Sequence, residues 1–181
     1  LSLLEDSEEE SKLVQAEHLL QQLRPGSGRL LIRGDAGSGK STFFRWAALM
    51  AATGGRTGSA KPPLRDMARH DEQEEATGTR WDERIPILIR LRGCKDGKLP
   101  PIEDFTKQVA WTLEAPPPGW MRSILEGGQG LVLLDGVDEV PNQDRAEIYK
   151  AVDQLVTQYP HCYYLLSTRP AAVERGWLKP L

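Results

Sequence analysis

The run Gly34-Asp35-Ala36-Gly37-Ser38-Gly39-Lys40-Ser41-Thr42 satisfies the spacing G-x-x-x-x-G-K-[ST]. Each residue type in it suits the binding of a phosphate chain. Glycines remove side chains, so that successive backbone N–H groups can turn inward on a β-phosphate. A helix that starts near Lys40 aims the positive end of its dipole at the same anion. The Lys40 ammonium can reach β- and γ-phosphate oxygens, and the Ser41 hydroxyl, followed by Thr42, can ligate Mg²⁺, an ion that takes few protein ligands. A glycine-rich turn that only caps a helix would share the composition. The flanks decide for the cradle, because the run follows a short apolar strand and opens a helix.

A phosphate cradle needs a second acidic group to hold the metal, placed after an apolar strand. Leu131-Val132-Leu133-Leu134-Asp135 provides it, with Asp135 holding Mg²⁺ directly or through its waters. Shortly after it, Asp138-Glu139 offers carboxylates that could polarise a water for attack on a γ-phosphorus. Glu139 is the first choice as base, and Asp138 shares the work or orients it. Alone, an acidic pair in front of Pro141 would read as a loop or helix cap; beside Asp135 the chemical reading is stronger.

These groups need elements to position them. Strands are expected at Arg29 to Arg33, Ile85 to Leu91, Leu131 to Asp135 and Tyr163 to Ser167, each rich in β-branched or large apolar residues. Helices are expected from Ser41 to about Thr53, from Pro100 to Glu114, around Trp120 to Leu125, and from Asn142 to Tyr159. Alternation of this kind predicts an α/β fold, a parallel sheet in a three-layer α/β/α arrangement whose ligands sit at the carboxyl ends of the strands. Residues 1–28 are expected to be an amphipathic helix and linker, and 29–181 the main domain. A charged, proline-containing insertion at 54–83 is expected to be mobile.

The chain has 181 residues, enough for one α/β core. Hydrophobic residues make up 39%, charged residues 27%, and the net charge is -3, so no general basic face invites nucleic acid. No apolar run approaches a membrane span, and the acidic start does not resemble a signal peptide, which makes the cytoplasm the expected compartment. Cys94 and Cys162 are expected to be free thiols, and His18, His70 and His161 form no zinc-ligand spacing.

With these residues in view, the chain resembles the NACHT domains of the STAND class of P-loop NTPases. LVLLDGVDEVP at Leu131 to Pro141 is similar to the family's extended acidic motif, in which a small residue, here Gly136, follows the metal-binding Asp. YYLLSTRP at Tyr163 to Pro170 is similar to the family's strand ending in Ser/Thr-Arg-Pro, and RIPILIRLR at Arg84 to Arg92 to its second strand. The resemblance implies that the strand ending at Thr168 lies between the strands before Gly34 and before Gly136, so that Arg169 enters the site and senses a γ-phosphate. It also implies ATP and ADP as ligands with Mg²⁺, slow hydrolysis, and a nucleotide switch within a larger signalling or defence protein that self-associates on activation. In the family a fifth strand, a helical domain and a winged-helix domain follow. The chain ends at Leu181, about where that strand would begin, so a fragment is expected. Two other functions share the motifs: a remodelling ATPase of the AAA+ group, against which DGVDE counts, and a non-catalytic module that holds nucleotide structurally.

Overall fold

Two uninterrupted apolar segments dictate the centre of the sheet. Gly130–Asp135 (β3) is buried along its length except at Asp135, and Tyr163–Thr168 (β4) is buried throughout. Strands of this composition must be covered on both faces. Arg29–Arg33 (β1) and Ile85–Arg90 (β2) are more open and lie on the outside of the order β1-β4-β3-β2, in which every pairing is parallel. An outer strand also tolerates Pro86, which has no N–H to give to a ladder. The computed structural model describes Leu20, Leu23 and residues 28–54, 81–94, 96–108 and 116–170.

Side chains alternate across a strand, so the sheet sorts its own core into two layers. On one face, Ile32, Leu131, Leu133, Tyr163 and Leu165 pack with Phe44, Ala47 and Ala51 of helix α1 (Lys40–Ala52). On the other, Ile87, Ile89, Val132, Leu134, Tyr164 and Leu166 pack with the short helix α2 (Trp120–Glu126) and with Ile148, Val152, Leu155 and Val156 of α3 (Arg145–Gln158). The expected α/β/α layering is therefore present, with β4 between β1 and β3.

Some boundaries differ from the sequence expectation. The stretch from Pro100 begins as a 3-10 helix, Ile102–Gln108, with Phe105 buried, and its expected continuation over 109–115 lies outside the described residues. A 3-10 turn, Asn142–Asp144, precedes α3 because Pro141 enters in an extended conformation, ψ 140°. The end of the expected mobile insertion is anchored: Trp81–Glu83 is a 3-10 turn in which Trp81 and Asp82 are buried, and Trp81 packs 5.9 Å from the Trp46 ring of α1. The aromatic surface of Trp81 outweighs the charge pattern around it. Residues 55–80 of that insertion lie outside the described residues, as do 171–181, the region before the expected fifth strand. Of the expected first helix, Leu20 is described and is fully buried in the α1-side core.

Several polar groups inside the core are hydrogen-bonded in ways that tie elements together. The Tyr164 hydroxyl lies 2.9 Å from the Tyr159 carbonyl and 3.2 Å from that of Leu155 at the end of α3. The buried Arg84 guanidinium donates to the Gly128 carbonyl and lies 4.6 Å over the Tyr163 ring, a cation–π contact. Cys94 and Cys162 are free and buried, and burial pushes both thiols above the ordinary 9.0.

Leu133 is fully buried in β3 and packs within the α1-side core. Leu133→Ala should cost about 2–5 kcal/mol, read from urea unfolding midpoints. A raised thiol pKa means that the folded chain keeps a proton which the unfolded chain loses. The stability tied to Cys162 is therefore complete below the ordinary thiol pKa and is lost as pH rises. Stability should fall as pH rises past the ordinary thiol value of 9.0, and fall less steeply in Cys162→Ala.

Candidate functional site

The carboxyl ends of β1, β3 and β4 converge on one cleft of about 280 Å³. β1 ends at Arg33 and runs into the glycine-rich loop, whose start is tied to β4 by a 3.2 Å hydrogen bond from Gly34 N–H to the Thr168 carbonyl. Packing is close at Gly34: a Cβ there would stand 2.5 Å from Ser38 Oγ and 3.3 Å from Ser38 Cβ, so the Ser38 hydroxyl would have to turn away. Gly37 and Gly39 have φ of 78° and 89°, the left-handed region open to glycine at little cost. Gly39 occupies the N-cap of α1 without any side chain to cap it, so the first N–H groups of the helix face the cleft mouth with the positive dipole end behind them.

Lys40 folds back over this loop. Its Nζ donates to the Gly34 carbonyl at 2.5 Å and the Asp35 carbonyl at 2.8 Å, with Ser38 Oγ at 3.5 Å. The ammonium is thus held on the loop by carbonyl oxygens, which anionic phosphate oxygens could replace with stronger charge-assisted bonds.

Across the cleft, β3 delivers Asp135 and the chain then turns sharply. Gly136 has φ 86°, and the 3-10 turn Val137–Glu139 follows. The Glu139 side chain folds over Gly136, with its Cγ and Cδ 3.2 and 3.1 Å from where a Cβ would stand. A Cβ at 136 would be strained at this φ and would require the Glu139 side chain to give by a few tenths of an ångström. Glu139 is exposed, whereas the Asp138 carboxylate is engaged: Arg169 N–H donates to Oδ1 at 3.1 Å, and Arg169 Nε lies 2.7 Å from Oδ2.

The sequence-predicted residues Ala36, Gly37, Ser38, Gly39, Lys40, Ser41, Thr42, Asp135, Asp138, Glu139 and Arg169 all line this cleft. Gly34 and Asp35 do not; they act through the carbonyls that hold Lys40. The donor set fits a hard cation that takes few protein ligands: the Asp135 carboxylate and the Ser41 hydroxyl line the same cleft, and among the described residues no group of three or more His, Cys, Asp or Glu side chains is placed to hold a metal ion.

A model of the NACHT domain family matches residues 28–180. The chain belongs to the NACHT domain family. NACHT domains are P-loop NTPases, so this is a nucleotide-binding NTPase module. Neither the curated proteins nor the solved structures yielded a match. Among the described residues no helix is long and apolar enough to cross a membrane.

Two residues of this NACHT site escaped sequence reasoning. Ser167 is fully buried near the end of β4, donates from Oγ to Asp135 Oδ1 at 2.6 Å and accepts the Gly136 N–H at 2.8 Å. One hydroxyl thereby fixes both the metal-ligand candidate and the glycine turn behind it. A serine directly after the buried run Tyr163 to Leu166 of the strand was the available signal. Arg145, at the start of α3, donates from Nη2 to the Asp138 carbonyl at 3.1 Å and from Nε to the Val140 carbonyl at 3.0 Å, bracing the acidic turn from outside the cleft. Nothing in its sequence context distinguishes it from a surface arginine.

Ser167→Ala removes the donor to Asp135 and the acceptor for a buried N–H together. The expected loss of stability is about 1–3 kcal/mol by denaturant unfolding. Ser167→Thr, which keeps the hydroxyl, should lose less.

Proposed function

We propose that this NACHT domain binds Mg·ATP, hydrolyses it slowly, and serves as the nucleotide switch of a larger signalling or defence protein. The observation that carries the reading is convergence. The Lys40 ammonium, the uncapped start of α1, Asp135, the exposed Glu139 and the Arg169 guanidinium all meet at one cleft beyond the strand ends. That is the set of groups phosphoryl transfer requires.

In this reading the loop amides and Lys40 hold the β- and γ-phosphates, and Ser41 and Asp135 hold Mg²⁺, which neutralises phosphate charge when bound. Glu139 takes the proton of a water whose oxygen bonds to the γ-phosphorus as the bond to the β-phosphate oxygen breaks. The products are ADP and inorganic phosphate, and the proton then passes from Glu139 to solvent. Glu139 is preferred over Asp138 as base because the Asp138 carboxylate is already bound at both oxygens by Arg169. The preference for adenine, the slow turnover and the self-association of the full-length protein rest on the family resemblance. Two nucleotide states bias a larger assembly only if they interact differently with it, and Arg169 is the group here whose partner differs between ATP and ADP.

Holding nucleotide without turnover is the second reading, and the Arg169–Asp138 contact favours it, since it keeps the guanidinium off a γ-phosphate. Calorimetric titration with ADP and ATP, with and without Mg²⁺, should show binding that needs the metal for full affinity and falls at least about tenfold in Lys40→Ala. Glu139→Gln should retain binding and cut turnover by about 10²-fold or more. Unchanged turnover in Glu139→Gln would remove it as the base, and no measurable turnover in the unmodified chain would favour the holding module.

A further inference from the structure

The two oxygens of Asp138 are bound by one residue, Arg169, through its backbone N–H at 3.1 Å and its Nε at 2.7 Å. The two partners differ in freedom. The Asp138 side chain is only 10% exposed, and its turn is braced by Arg145 through the carbonyls of Asp138 and Val140. The Arg169 side chain is 55% exposed, and the residue leads out of β4 into the cleft. A fixed carboxylate therefore holds a guanidinium that can swing.

We propose that Asp138 is a positioning residue that sets how strongly this site distinguishes a nucleoside triphosphate from a diphosphate, by holding Arg169 until a γ-phosphate competes for it. The inference rests on the nucleotide-binding reading above. A diphosphate offers nothing at the γ position and leaves the pair intact. A triphosphate offers a doubly charged group that a guanidinium can bind bidentately, a stronger partner than the single side-chain contact from Nε to one carboxylate oxygen. Recognition of the γ-phosphate is then worth its contact with Arg169 less the contact given up with Asp138. Once released, the Asp138 carboxylate also lies unpaired beside the incoming anion, which lowers the preference for triphosphate further. Asp138 thus tunes the balance between the two nucleotide states without touching the reacting atoms.

The test uses the 181-residue chain and two probes, Mg·ADP and Mg·adenylyl imidodiphosphate, titrated calorimetrically against the unmodified protein, Asp138→Asn, Arg169→Ala and the double variant. Asp138→Asn keeps the side-chain size and an oxygen to accept the Arg169 N–H, so the fold is retained. The expected result is a rise of about fivefold in the triphosphate-over-diphosphate affinity ratio, in keeping with a half-exposed ion pair. In the Arg169→Ala background the same change should alter the ratio by less than about twofold. Asp138→Glu, which restores the charge, should return the ratio towards that of the unmodified chain. A ratio unchanged by Asp138→Asn while both probes bind overturns the latch and leaves the nucleotide site standing. An equal rise in both backgrounds also overturns it, since plain relief of negative charge would then explain the effect. Failure of both probes to bind the unmodified chain would overturn the nucleotide-binding reading and the latch with it.

Discussion

Everything at the cleft depends on β4 lying between β1 and β3. These strands are parallel, so all of their carboxyl ends point the same way. The glycine-rich loop leaves β1 on one side of β4 and the acidic turn leaves β3 on the other. Placed between them, β4 contributes the Thr168 carbonyl to the first and the Ser167 hydroxyl to the second. A sheet in which β1 and β3 were neighbours would lack both ties, and Arg169 would have no route into the site.

The arrangement is held by burial more than by polar contacts. β3 and β4 present apolar side chains to both layers, and each face is sealed by its own helices. The hydrophobic effect is non-directional and sets the layers; the few buried hydrogen bonds, at Ser167, Tyr164 and Arg84, then fix how the ends of the elements meet. Rigidity of this kind suits a site whose groups must sit within tenths of an ångström, and it confines freedom to the side chains at the cleft mouth: Lys40 on its loop carbonyls, Glu139 over Gly136 and Arg169 on Asp138. Each of these rests on a protein oxygen or backbone surface that a phosphate chain or a water could replace.

Much of this was legible in the residues. The cradle was readable because its chemistry demands a contiguous spacing, and contiguous spacing survives in sequence. Asp135 and the Asp138-Glu139 pair were readable because an apolar strand announces where its carboxyl end will be. The alternation of strands and helices likewise carries the layer order, since a strand buried on both faces needs helices above and below it. The charge pattern before Glu83 misled at its end, because Trp81 buries against Trp46 and charge composition does not register one large aromatic contact.

What the sequence by itself determined, then, is the inventory of groups: a phosphate loop, a metal-ligand candidate, an acidic pair and an arginine, each at the end of a strand. Tertiary structure alone decided how these are shared out. It committed Asp138 to Arg169 and left Glu139 exposed, enlisted Ser167 to orient Asp135, and recruited Arg145 to brace the turn. The reason is physical. Local patterns record what the backbone must do within a few residues, whereas the partner of a side chain 31 or 32 positions away is set by which strands become neighbours and how far each extends.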